Sequence, residues 1–269
     1  MTSAPAAEDS LVTRLRAAGC VFAEEEASIL REAATDDEDL VRMCARRVAG
    51  EPIEHIVGWV EFAGRRLAVG PGVFVPRKRS ELLAAVGIAA AAERVRPVIV
   101  EPYCGAAPLA ATIRDWLPDA RVYATDVDET ALRYARRNLG DPTSVYAGPD
   151  LTALPAALRG SVDVIVAVPP YVPDTALALM PHEAADHEPH RALLAGPDGL
   201  DHLTTLAAQA PQWLVDGGVL AMELNAEQMP AVIARAPHAE LTVFADDDSH
   251  TVVVRLTFAR PNRGGDEVR

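Results

Sequence analysis

Three short segments carry side chains that could act together on one ligand. VIVEPYCGAAP, residues 98–108, ends an apolar run on Glu101 and passes into small residues. At a strand-to-helix turn such residues let a ligand approach the backbone, and Gly105 is suited to it. YATDVDE, 123–129, places Asp126 at the end of a second apolar run. A carboxylate there can accept both hydroxyls of a ribose diol, with Asp128 capping the next helix; the plainer reading makes both residues helix caps. VAVPPYVP, 166–173, is the third. Pro169 and Pro170 have no N–H to continue a central strand, so they turn the chain out of the sheet and present Tyr171 at its edge, with Val168 just before the turn. The alternative is a strand terminator with an interfacial tyrosine.

These segments need elements that bring them to one edge. From about residue 80 the sequence alternates between apolar runs of strand length and helical periodicity: PVIVEP, ARVYATDVD, TSVYAG, VDVIVAV and GGVLAMEL as strands, with helical stretches between them. That alternation predicts an α/β fold, a parallel sheet with helices on both faces, whose ligand sits at the carboxyl ends of the strands. AELTVFAD and HTVVVRLTF are expected to close it as an antiparallel edge. Before residue 50, Leu11, Leu15, Ala18 and Val21, and then Leu40, Met43, Cys44 and Val48, recur at helical spacing. Thr35 and Glu38 have the form of a capping box for the helix that follows. WVEFAGRRLAVGPGVFVP reads as a hairpin turning at Ala63-Gly64. The expected organisation is a helical domain over 1–55, a β-hairpin linker over 56–78, the main domain over 79–260 and a disordered tail over 261–269.

Composition narrows the functional classes. The 269 residues are 49% hydrophobic and 24% charged, as in a soluble globular protein. No apolar run is long enough for a membrane helix, and MTSAPAAEDS lacks the pattern of a secretory signal. A net charge of −14 opposes a nucleic-acid partner. Cys20, Cys44 and Cys104 form neither a metal-binding spacing nor a disulfide framework, so a cytoplasmic setting is the simplest. A single glycine in the first loop weighs against nicotinamide redox chemistry.

The order and spacing of the three segments are more specific than each alone. GEPIEHIVGWVEF, PGVFVPR with SELL, the ARRN of one helix, DHEP with GPDGLD, and DGGVLAMEL are all similar to segments of one family. Over roughly residues 50–257 the chain resembles the protein-(glutamine-N(5)) methyltransferases, the HemK/PrmC-like enzymes that methylate a glutamine of peptide-chain release factors. The resemblance implies a class I S-adenosylmethionine-dependent, Rossmann-like fold with a small N-terminal helical domain that contacts the substrate protein. It implies S-adenosyl-L-methionine as cofactor. Glu101 would accept from the methionine amino group, Gly105 would hold a glycine position of the loop, and Asp126 would bind the ribose. Asp150 would lie near the adenine, with Tyr103 and Val127 in the same cofactor set. Ala107 stands where another glycine is usual.

The departure lies at the methyl acceptor. The family pattern is Asn-Pro-Pro-Tyr, in which the Asn oxygen and a proline carbonyl accept from the target nitrogen and orient it for in-line attack. Here the set is Val168, Pro169, Pro170 and Tyr171, and valine offers no acceptor. A buried amide donor left without its partner costs about 1–3 kcal/mol. The backbone carbonyls of Val168 and Pro169 could replace the Asn. A nearby carboxylate could instead do so, Glu101 at the first strand end or Glu183, Asp186 or Glu188 of MPHEAADHEPH, with His187 or His190 as base; the plainer reading of that loop is a solvated acidic surface. Carboxylates suit a planar cation, so an N-methyltransferase acting on a free amino acid or small metabolite with an arginine-like guanidinium is expected first. A release-factor glutamine is the alternative acceptor, and a catalytically silent S-adenosylmethionine-binding protein is another. Adenine methylation of DNA, which uses a similar Pro-Pro-Tyr, is opposed by the charge. The partner is then a small-molecule or protein acceptor, and the oligomeric state is left open.

Overall fold

The computed structural model describes residues 10–245 and 250–259. The tail over 261–269 expected to be disordered lies outside the described residues, as do residues 1–9.

Among the described residues four helices come first, α1 (Ser10–Ala17), α2 (Ala23–Ala33), α3 (Asp37–Val48) and α4 (Ile53–Val57). Leu11, Leu15, Ala27, Leu30, Cys44 and Ile56 form a core of their own. The cap of α3 differs from expectation: Asp36, not Thr35, accepts the Asp39 amide at 2.8 Å. A short charged acceptor beside the positive end of the helix is the stronger cap. Thr35 instead donates its amide and hydroxyl to Asp39, and Glu38 pairs with Arg42.

Strands β1 (Trp59–Phe62) and β2 (Arg65–Ala68) form the hairpin, turning at Ala63-Gly64 with both residues left-handed. Val60, Phe62 and Leu67 enter the same core as the helices of the main sheet, so the hairpin is packed into that body. Asn138 fixes it there. Its side chain accepts from the Ala68 amide at 2.8 Å and donates to the carbonyls of Ala68 and Ala106, tying β2 to the loop that follows the next strand.

The main body comprises helices α5 (Glu81–Ala92), α6 (Pro108–Trp116), α7 (Glu129–Leu139), α8 (His182–His187), α9 (Asp201–Trp213) and α10 (Met229–Arg235). Its strands are β3 (Val98–Pro102), β4 (Arg121–Asp126), β5 (Val145–Ala147), β6 (Val162–Ala167), β7 (Leu214–Asn225), β8 (Glu240–Ala245) and β9 (Thr251–Phe258). They assemble in the order β5-β4-β3-β6-β7-β9-β8. Strands β3 to β7 pair parallel, and β9 lies antiparallel between β7 and β8. Every residue of β3 is buried, as a central strand covered on both faces requires. The strand order reverses between β3 and β6, so the ends of those two strands flank the crevice where an open α/β sheet binds ligands.

Candidate active site

Two joined cavities open at that crevice. The first spans about 920 Å³, space open to solvent included, and is lined by Glu101, Tyr103, Gly105, Asp126, Val127, Val168 and Pro170 of the expected residues, with Phe74, Ser80, Arg191 and His202. The second, about 860 Å³, is lined by Phe74, Arg77, Arg79, Pro169, Pro170, Tyr171, Met180 and Glu183, among others. Phe74, Arg77, Val168, Pro170 and Ala192 border both. Val168 therefore stands at the border between the cleft and a neighbouring chamber.

The first cleft is built by backbone held in unusual conformations. Tyr103, Gly105 and Ala107 all have positive φ, near 55°, 53° and 58°. For residues with a Cβ this costs roughly 1–2 kcal/mol each, which is why a glycine is the usual choice where Ala107 stands. The Cys104 amide donates to Thr125 O and the Ala107 amide to Cys104 O, so the loop is clamped to the end of β4. Asp126 accepts from the Gly105 amide through Oδ2 and from the Asp128 amide through Oδ1, each at 2.8 Å. Burial raises its carboxyl above the ordinary range. Glu101 accepts from the Leu109 and Ala110 amides at the start of α6, at 3.3 and 2.7 Å. Burial pushes it up to about 8 against the pull of those two amides. The Tyr103 and His202 rings lie 5.1 Å apart in a tilted pair on the wall.

This donor set fits S-adenosylmethionine. Two carboxylates at adjacent strand ends suit an ammonium and a ribose diol, and Phe74, Val127, Pro149 and Val168 suit a flat ring system, on a wall that also carries Arg77, Arg191 and His202. The cofactor supplies an electrophilic methyl group when bound. The chain would orient it with Glu101 and Asp126 and bring an acceptor nitrogen to it past Val168.

Asp150 does not join this group. Its Oδ1 accepts from the Thr152 amide and hydroxyl and its Oδ2 from Gln209, so it caps a 3-10 turn behind the cleft, and its neighbour Pro149 lines the wall. The Asx turn satisfies the carboxylate locally, and Asp150 itself is not among the residues lining the cleft.

The chamber wall rests on a buried network that sequence reasoning did not find. Glu223, on β7 and 1% exposed, accepts from Ser80 Oγ at 2.6 Å, from Arg79 Nε at 3.0 Å and from the Tyr171 hydroxyl at 3.0 Å. Arg79 Nη2 also donates to Tyr171 Oη. Burial beside Glu223 raises the Tyr171 phenol above its ordinary value. The Tyr171 carbonyl accepts from Gln228 and packs on Gly199, where a Cβ would meet it at 2.3 Å. The similar segments SELL, GPDGLD and AMEL held the signal, but no periodicity pairs residues more than a hundred positions apart.

The acidic loop is folded otherwise than an open guanidinium site would require. Glu188 is buried and bonded to the Val75 amide and Arg77, so it anchors the segment after β2. Glu183 reaches the second chamber but pairs with Arg47 of α3 at 2.6 Å. Asp186 is exposed and lies 3.5 Å from His182. His187 borders neither cavity and sits beside Gly50. His190 Nε2 donates to the Ala185 carbonyl at 3.0 Å. The segment forms α8 and short turns rather than an extended loop, which scatters these groups. Among the described residues no His, Cys, Asp and Glu cluster could hold a metal, and no helix is long and apolar enough to cross a membrane.

No family model matches the chain. A release factor glutamine methyltransferase of Streptomyces coelicolor is 41% identical over 182 residues, 66% of this chain and 64% of that protein. Thus the match spans slightly under two thirds of that relative's length. Another of Deinococcus radiodurans is 35% identical over 82% of this chain and 77% of its own. A 4-amino-L-phenylalanine/4-methylamino-L-phenylalanine methyltransferase of Streptomyces pristinaespiralis is 35% identical over 80% and 77%. Among solved structures, a methyltransferase from Pyrococcus furiosus has a TM-score of 0.51 at 19% identity, over 80% of this chain and 96% of that one. The hMettl16 catalytic domain has a TM-score of 0.54 at 12% identity, over 82% and 83%. The fold is that of the class I S-adenosylmethionine-dependent methyltransferases.

Proposed function

We propose, because the chain belongs to the release factor glutamine methyltransferase family, that it is an S-adenosylmethionine-dependent N-methyltransferase whose acceptor is a neutral amine of a small aromatic molecule. The observation that carries this reading is the apolar side chain of Val168 at the passage between cleft and chamber. An amide nitrogen, its lone pair drawn into resonance, needs acceptors that orient it. An aryl amine keeps a more available lone pair and needs mainly a shaped apolar slot. Phe74, Val168, Pro170, Met180 and Leu193 supply such a slot. The relative that acts on 4-amino-L-phenylalanine covers more of the chain than the Streptomyces coelicolor relative does, at a lower identity.

The chamber does not favour the guanidinium expected from the sequence. Glu188 is buried and bonded to Arg77, so of the three loop carboxylates only Glu183 reaches the chamber, and Arg77 and Arg79 on the same wall leave no bidentate pair of carboxylates for a guanidinium.

In this mechanism Glu101 and Asp126 hold the cofactor by its ammonium and ribose. Pro169 and Pro170 fix the wall beside the approaching nitrogen, and Tyr171 is held back from it by Glu223. The proton released on N-methylation leaves to solvent through the second chamber. A second reading keeps a release-factor glutamine, oriented by the carbonyls of Val168 and Pro169, and rests on the names of most relatives.

The test is incubation with methyl-labelled cofactor and, separately, 4-amino-L-phenylalanine, arginine and a release factor. Label on the aryl amine alone is the expected result. Label on the release factor alone would replace this reading with the second. Binding of S-adenosylhomocysteine with no product from any acceptor would support a silent binding protein.

A further inference from the structure

The second chamber presents charge in an unusual way. Arg79 has a side chain 49% exposed, yet its counter-ion Glu223 is 1% exposed beneath it. Its Nε is spent on Glu223 and its Nη2 on Tyr171, while Nη1 takes part in neither bond. Glu183 is the mirror case: its side chain is 49% exposed and its partner Arg47 only 8%. Arg47 holds Oε1 of Glu183, and Oε2 takes no part in that pair. Both side chains line the same chamber. Each is held from behind by a buried counter-ion and turns a hydrogen-bonding atom outside that pair, Nη1 of Arg79 or Oε2 of Glu183, to its exposed side.

Resting on the aromatic-amine reading, we propose that this chamber is a zwitterion site, in which Arg79 receives the carboxylate and Glu183 the ammonium of an α-amino acid. The apolar wall of Phe74, Met180 and Leu193 takes its side chain and leads the distal amine towards Val168. A fixed guanidinium pairs well with a carboxylate because little freedom is lost on binding. Glu223 and Tyr171 provide that fixation for Arg79. Arg77 is the weaker candidate: it stacks on Phe74, is tied to Glu188 and is 29% exposed. A phosphate would also suit arginines, but the carboxylate of Glu183 on the same wall opposes a dianion. Arg47 then acts as a positioning residue, so the N-terminal helices serve to orient the acceptor's ammonium.

Calorimetry in the presence of S-adenosylhomocysteine reads binding without turnover. Three probes separate the groups: 4-amino-L-phenylalanine, 4-(2-aminoethyl)aniline without the carboxylate, and 3-(4-aminophenyl)propanoic acid without the ammonium. The amino acid is expected to bind at least about tenfold more tightly than either analogue, a factor typical of one charge-assisted bond. Arg79→Gln should weaken the amino acid and the propanoic acid by about tenfold and leave the amine within about twofold. Glu183→Gln should weaken the amino acid and the amine and spare the propanoic acid. Equal binding of all three by the wild type, or a uniform loss in either variant, overturns the site. Arg79→Gln strips Glu223 of a partner, so Arg79→Lys provides a folded control that keeps the charge, and the wild-type comparison needs no variant. Methyl transfer is scored separately. Carboxylate-dependent binding without product keeps the zwitterion site and removes the aryl-amine acceptor, whereas product formed with uniform binding does the reverse.

Discussion

Arg47 Nη1 lies 2.6 Å from Glu183 Oε1, joining α3 to the segment over the second chamber. The same guanidinium holds Glu26 through Nε and Nη2 at 2.6 and 3.0 Å and the Glu51 carbonyl through Nη1. One side chain thus fastens the N-terminal helices both internally and to the acceptor chamber. Arg47→Met leaves Glu26 and Glu183 without their cation, and the expected cost is about 3 kcal/mol. Urea denaturation at neutral pH measures it, and a loss under about 1 kcal/mol would show that the hub is dispensable.

Val168→Asn should move the acceptor profile. An amide side chain at the passage restores an acceptor for a glutamine nitrogen and places a polar group against an apolar ring. The ratio of release-factor to aryl-amine product is expected to rise about tenfold, the effect of one hydrogen bond at a reacting centre. Product ratios by mass spectrometry decide it, and an unchanged ratio would show that position 168 does not select the acceptor.

Asp126 and Asp150 should respond differently to loss of charge. Asp126→Asn is expected to weaken S-adenosylhomocysteine binding by about tenfold or more, since its carboxylate lines the cleft. Asp150→Ala removes a cap and should cost about 1 kcal/mol of stability with little change in that affinity. Calorimetry and thermal melting on both variants separate the roles.

Glu101 should make cofactor binding proton-linked. Buried and raised to about 8, it holds a proton in the free protein near pH 7, and an ammonium beside it would favour the carboxylate. Binding of S-adenosylhomocysteine at pH 7 is then expected to release protons, seen as a dependence of the calorimetric heat on buffer ionisation enthalpy. The unliganded protein also binds more protons at this group than the unfolded chain does between about pH 4.5 and 8. Glu101 therefore makes stability fall as pH rises through that window. Glu101→Gln should remove both effects.

Gly199→Ala should disturb Tyr171 from a distance. Its φ is +73°, and an added Cβ would lie 2.3 Å from Tyr171 O and 2.7 Å from Gln228 Nε2. Left-handed strain and the displaced hydrogen bond together predict a loss of about 2 kcal/mol or more. A thermal melt checks the stability, and a fall in turnover beyond that in Gln228→Ala would tie the position to the chamber wall.

Local chemistry made the sheet, its ligand-bearing edge and the Pro-Pro turn readable from residues alone. An apolar strand followed by Glu101 or Asp126, or by two prolines without N–H groups, has few other ways to fold. The cap falls on Asp36, one residue beyond Thr35, because Thr35 with Glu38 and Asp36 with Asp39 share the same spacing, and only the geometry of the turn decides between them. The acceptor chamber was beyond reach for a stronger reason. Whether a carboxylate faces a ligand or an arginine depends on contacts such as Glu188 with Arg77 and Glu223 with Arg79, made between residues far apart in the chain. Sequence alone determined that two carboxylates and a Val-Pro-Pro-Tyr edge would meet at one crevice. The tertiary structure decided which charges remain available there, because pairing across the fold, not residue type, sets what a buried ion can still bind.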